Sequence, residues 1–161
     1  MPYNDSRGNR SYNSGNSDWR KQNAPAGQRP APPVKVLPEK VPEDYVDRAE
    51  AVILGIQNQK PVITTSKIRN LLSLVSEIYN VEKLRTEKEL CPESVAKVGM
   101  MRVRTAYEAG RDKTAKAFVE EAKLLQYQKG IGNDREALIR FAHYMEALVA
   151  YHRFYIGGKE V

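Results

Sequence analysis

The chain has 161 residues, 41% hydrophobic and 29% charged, with a formal net charge of +6 and a pI near 9.4. That is room for one ordinary domain, and its single cysteine, Cys91, excludes a disulfide within the chain. The opening residues Met1 to Arg10 hold neither an apolar run nor a cleavage pattern, so a reducing, cytoplasmic setting is expected; the excess of cations points to an anionic partner, nucleic acid ahead of a membrane surface.

Residues 1–40 are rich in Asn, Ser, Gly and Pro, and Pro25, Pro30, Pro32, Pro33 and Pro38 crowd the second half. Apolar groups there are too few to repay ordering, so a disordered basic tail is expected ahead of a helical domain at 41–161. The tail holds seven cations against three carboxylates and so carries most of the net charge. An unfolded arm with Arg7, Gly8 and Trp19 could touch RNA loosely; a solvated tail that does little is the competing reading.

From Pro42 the spacing turns helical. Tyr45, Ala49, Val52, Ile53 and Ile56 line one face of a first helix that ends near Gln59-Lys60-Pro61. After a short link, Thr64 or Thr65 caps a second, whose inner face is Ile68, Leu71, Leu72, Val75, Ile78 and Tyr79; it has the option of running on toward Glu89. Pro92 opens a third helix, with Val95, Val98, Met101, Val103 and Tyr107 expected inward and a stop at Gly110. Asp112 caps a fourth that runs to Gly130 with Ala115, Phe118, Val119, Ala122 and Leu125 inward.

The last helix, Asn133 to about Tyr155, is the one around which the others must pack. Leu138, Phe141, Met145, Leu148, His152 and Tyr155 recur every three or four residues, and Ala137, Tyr144 and Tyr151 widen that stripe. Arg140, His143, Glu146 and Arg153 leave a polar strip that excludes a membrane span. Asn133 is the expected N-cap and Gly157-Gly158 the stop. Short connections between amphipathic helices give the fold class: all-α, a compact bundle of about five helices, with no sheet.

Little in this pattern suggests catalysis. His143 and His152 are nine residues apart on one helix and point to opposite sides, so they cannot share an ion; a surface pair of His143 with Glu146 and a hydrogen-bonded core position for His152 are expected. Cys91 lies at a helix start without a histidine placed to activate it. Gly130-Ile131-Gly132 lacks the lysine and strand of a phosphate loop and reads as a turn. Neither a metal nor a cofactor is implied.

The basic residues say more. Lys97, Arg104 and Arg111 fall seven apart along the third helix, with Arg102 nearby; Lys113, Lys116, Lys123 and Tyr127 line the fourth; Lys67, Arg69 and Asn70 flank the start of the second. Rows of cations on rigid helices could follow a phosphate backbone without reading bases, and an ordinary solvated face is the alternative.

The runs Thr64-Thr65-Ser66-Lys67-Ile68-Arg69-Asn70-Leu71-Leu72, then Tyr107-Glu108-Ala109-Gly110-Arg111-Asp112, then Phe141-Ala142-His143-Tyr144-Met145-Glu146-Ala147-Leu148-Val149-Ala150-Tyr151-His152 occur in this order. Together they resemble the small subunit of the type III-A CRISPR effector, the Csm complex, over about residues 42–158. The resemblance implies an all-helical protein without enzymatic activity. Several copies would stack along the complex, between the large polymerase-like subunit and the upper end, facing the repeated backbone subunits that hold the guide RNA. There it would contact target RNA and support the guide–target duplex. It also implies Lys67, Arg69 and Arg111 as leading RNA contacts, with Arg104 and Lys113 following on position and charge. A purely architectural subunit that meets only protein, or an unrelated small helical RNA-binding protein, remains the alternative.

Overall fold

A computed structural model describes residues 35–157. The tail expected at 1–40 therefore lies, up to residue 34, outside the described residues. Six helices follow: α1 Tyr45–Ile56, α2 Thr65–Glu82, α3 Pro92–Arg111, α4 Lys113–Glu121, α5 Leu124–Ile131 and α6 Arg135–Tyr155. Among the described residues no strand forms, and the one bridge joins Glu89 to Asp134, so the all-helical bundle stands.

α6 is the centre, packed against α1, α2 and α5. Leu138, Phe141, Tyr144, Met145, Leu148 and His152 are all buried on it, and complete burial of each large apolar side chain stabilises by about 1.5–3 kcal/mol. Its polar core groups have partners. The Tyr144 hydroxyl donates to the Ala122 carbonyl (3.0 Å), and burial pushes that phenol well above the usual tyrosine range. His152 Nε2 lies 2.8 Å from the Ile63 carbonyl, which can only accept; the proton therefore sits on Nε2, and Nδ1 faces Thr65 Oγ1 at 3.4 Å. The N-cap is Asp134, not Asn133: its Oδ1 accepts from the amides of Glu136 (3.0 Å) and Ala137 (3.2 Å). Asn133, one residue before the cap, accepts the Leu90 amide through its main-chain carbonyl (2.8 Å).

α1 buries Ala49, Val52, Ile53 and Ile56, and α2 buries Ile68, Leu71, Val75 and Ile78, as their spacing requires. Thr64 is the α2 cap, its side chain accepting from the Lys67 amide (3.4 Å). α2 stops at Glu82 and does not continue to Glu89. Glu82 is fully buried; burial alone would raise its pKa, but hydrogen bonds from Ser94, Cys91 and Arg85 hold the carboxyl below the ordinary range. Its Oε1 accepts the Cys91 amide at 3.1 Å, so the end of one helix caps the beginning of the next.

The expected fourth helix is two. Lys123 takes a left-handed backbone conformation (φ 53°), which ends α4 at Glu121, with Ala122 as its C-cap, and restarts the chain as α5. Its side chain pairs with Glu39 (3.1 Å) in an extended strap, residues 36–41, that crosses α5. The Glu39 amide donates to the Gln126 carbonyl (3.0 Å) and Lys129 Nζ to the Val36 carbonyl (2.7 Å). Gly130 lies under this crossing, where a Cβ would sit 1.9 Å from the Glu39 carbonyl oxygen.

α3 departs most from its pattern. Val98 and Met101 are buried as expected, but Val95, Val103 and Tyr107 are 40%, 58% and 63% exposed. Its inner face is small and polar: Ser94, Thr105 and Ala109 are buried with the two expected residues. Thr105 Oγ1 donates to the Met101 carbonyl (2.9 Å) and accepts from Gln128 Nε2 of α5 (2.9 Å), so a buried polar contact sets the rotation of the helix.

Candidate nucleic-acid interface

The five cations expected to meet RNA are Lys67, Arg69, Arg104, Arg111 and Lys113, and the fold brings their segments to one end of the α2–α3 pair. The fastener is an ion pair between Lys67 of α2 and Asp112, the residue between α3 and α4; Lys67 Nζ also lies 3.5 Å from Thr114 Oγ1. Asp112 caps α4 as well, accepting from the amides of Thr114 (2.8 Å) and Ala115 (3.2 Å) and from Thr114 Oγ1 (2.7 Å). Lys67 foremost, then Thr114 and the Ala115 amide, hold the Asp112 carboxyl far below the usual carboxylate range.

This arrangement divides the five. Lys67 is half-buried and neutralised by Asp112. Arg69, two residues on and so about 200° around the helix, is exposed and forms no ion pair among the described residues. Lys113 is likewise exposed and unpaired among the described residues. Arg111 is exposed but engaged on both sides: it pairs with Glu108 (3.0 Å) and its guanidinium lies 5.6 Å from the centroid of the Tyr107 ring.

Arg104 stands two turns back on α3, exposed, at the rim of a cleft of about 450 Å³ between α2 and α3 lined also by Ser73, Leu74, Glu77, Lys97 and Met100. Lys97 at the far end of that row is paired with Glu77 (2.9 Å) and Glu93 (3.2 Å), and the Lys97 pairing is the main reason the Glu77 carboxyl is held low. The row of three cations along α3 is thus a closed pair, an exposed arginine whose charge also helps hold Glu77 low, and a stacked arginine. On the next helices, Lys116 stands 3.9 Å from Glu120, Lys123 turns to the strap and Tyr127 is buried, so that line does not form a cationic face.

The other candidate groups are structural. His143 is not paired with Glu146; it sits between two tyrosines, with ring centroids 5.6 Å from Tyr79 and 6.5 Å from Tyr45, and its Nε2 is 3.3 Å from the Tyr79 hydroxyl. Cys91 is half-buried, its thiol 3.2 Å from Ser94 Oγ. Among the described residues, no cluster of His, Cys, Asp and Glu could hold a metal ion, and no helix is long and apolar enough to cross a membrane. Sequence reasoning missed the roles of Asp112 and Tyr107. Asp112 was legible as a cap, but its partner Lys67 is a tertiary fact; Tyr107 was assigned inward because its spacing continues that of Val103.

Comparison with known proteins gives a consistent answer. The family model for type III-A Csm2 matches residues 39–158, beginning within the strap and covering the six helices of the described residues. The CRISPR system Cms protein Csm2 of Streptococcus thermophilus is 45% identical over 121 residues, 73% of this chain and 95% of that one. The protein of the same name from Mycobacterium tuberculosis (strain ATCC 25618 / H37Rv) is 40% identical over 116 residues, 71% of this chain and 93% of the relative. A third, from Enterococcus italicus, is 31% identical over 98 residues, 60% and 70% of the two chains. The chain belongs to the type III-A Csm2 family.

Proposed function

We propose that this protein is a non-catalytic small subunit of a cytoplasmic type III-A CRISPR Csm interference complex. In this reading its copies stack along the assembly beside the large polymerase-like subunit and the repeated guide-binding backbone subunits. Its cationic end grips the phosphate backbone of the target RNA and of the guide–target duplex. One observation carries the RNA part: the Lys67–Asp112 pair draws two distant stretches together, so that Arg69, Arg111 and Lys113 share one end of the bundle, with Arg104 about 10 Å away along α3. Fixed cations on rigid helices suit a subunit that must accept any target, because phosphate contacts carry no sequence information. Lys67 then serves as the fastener, and the grip falls mainly on Arg69, Arg104 and Lys113.

A purely architectural subunit is the second reading, favoured by the exposed apolar side chains Leu84 and Phe154, at 81% and 78%, which suit protein neighbours better than phosphate. One experiment separates the two. The tagged chain is purified with whatever subunits and RNA accompany it, loaded with target and crosslinked by ultraviolet light. Adducts at the start of α2 and the α3–α4 junction are expected; RNA adducts confined to other subunits would leave only the architectural role. Recovery of the chain without a large subunit, backbone subunits and a short guide RNA would contradict the assembly itself.

A further inference from the structure

Tyr107 is exposed on the outer face of α3, and no packing requirement of the bundle accounts for it. The same face carries Met100 and Val103, 54% and 58% exposed, two turns and one turn back respectively, so an apolar stripe runs out of the cleft toward the cationic end. At that end the ring is set among cations. The Arg111 guanidinium lies over it at 5.6 Å and is paired with Glu108 at 3.0 Å, while Arg104 precedes the ring by one turn. An apolar protein surface docking on the ring would have to desolvate these arginines without replacing their charge partners. A polyanion meets the opposite situation, since phosphates reach the cations while a base covers the ring. An A-form duplex cannot do this, because its base faces are already stacked on one another. The combination of an exposed ring with flanking fixed cations is the one that binds single strands.

We infer that Tyr107, backed by Arg111, is a stacking platform for an unpaired base of single-stranded RNA. The inference rests on the RNA-contact reading above and names its ligand more narrowly: the strand at the cationic end presents at least one base outside any duplex. Arg69, Arg104 and Lys113 hold phosphates of either form, and the ring adds affinity only for the unstacked one.

The test uses the full-length chain at low ionic strength with a single-stranded oligoribonucleotide carrying 2-aminopurine, and the same strand annealed to its complement. Tyr107→Ala is expected to weaken single-strand binding about 5- to 100-fold, abolish the 2-aminopurine quench and leave duplex binding unchanged. Tyr107→Phe keeps affinity and quench, whereas Tyr107→Leu, apolar but not aromatic, behaves like Tyr107→Ala. Equal loss on both RNAs, no loss on either, or full activity of Tyr107→Leu would overturn the platform. So would loss of co-purifying subunits from Tyr107→Ala with RNA binding intact, which would assign the ring to a protein neighbour. Failure of the underlying reading looks different: the wild-type chain then binds neither RNA, or binds both as well after Arg69→Ala with Lys113→Ala.

Discussion

α3 and α6 are nearly equal in length, 20 and 21 residues, and use their apolar residues in opposite ways. On α6 the large apolar side chains face inward up to Phe154 in the last turn, which is exposed, and even His152 and Tyr144 find partners in the core. On α3 the inner face is built from Ser94, Val98, Met101, Thr105 and Ala109, while Met100, Val103 and Tyr107 face out beside Arg104 and Arg111. One helix is spent on stability; the other is held by polar contacts and presents its larger side chains to something outside. The difference teaches that an apolar stripe identifies a contact face without saying whether the contact lies within the chain.

The largest expected effect tests the α6 side of that contrast. Phe141→Ala should cost about 3–5 kcal/mol of folding stability, since it empties a filled position in the core. Val103→Ala, on the outer face of α3, should stay within about 0.5 kcal/mol. Chemical denaturation of both variants checks the pair, and comparable losses would erase the distinction between the helices.

The next effect concerns how α3 is held. Thr105→Val leaves the amide of Gln128 buried without its acceptor and should cost about 1–3 kcal/mol, whereas Thr105→Ser keeps the hydroxyl and loses less. Because the Gln128 carbonyl oxygen is itself without a partner among the described residues, adding Gln128→Leu to Thr105→Val should recover part of the loss. A double variant worse than the single one by thermal melting would show that shape, not polarity, fixes the rotation of α3.

How much was legible follows from the same contrast. α1, α2 and α6 could be read because their apolar residues recur at helical spacing and do face the core. α3 could not, because Ser94, Thr105 and Ala109 read as a polar face and Val103 and Tyr107 as a buried one. The break at Lys123 carries no Gly or Pro to announce it; it is held by Glu39 and by Tyr144 bonding to Ala122. The strap at 36–41 lies beside a proline-rich stretch and reads as linker, although Gly130 marks where it crosses. Of the five cations, Arg69, Arg104 and Lys113 are exposed. Lys67 and Arg111 are tied up by carboxylates, one of them brought in from another helix.

A smaller effect is expected in acid. The Asp112 carboxyl is held low by Lys67, so its contribution to stability is fully present above the ordinary carboxylate pKa of about 3.9 and fades as the pH falls below it. Asp112→Asn keeps a capping side chain but loses the ion pair. Its stability should therefore fall less steeply than that of the wild type between about pH 4 and pH 2. Parallel acid curves would mean that the pair adds nothing to the joint between α2 and α4.

The most direct test of the cationic end is the salt dependence of RNA binding by Arg69→Ala with Lys113→Ala. Both side chains are exposed, so thermal stability should be unchanged. If each holds one phosphate of a single strand, the slope of log affinity against log salt concentration should become shallower by about 1.4, with weaker binding at every salt concentration. An unchanged slope and affinity would contradict phosphate contact by these residues.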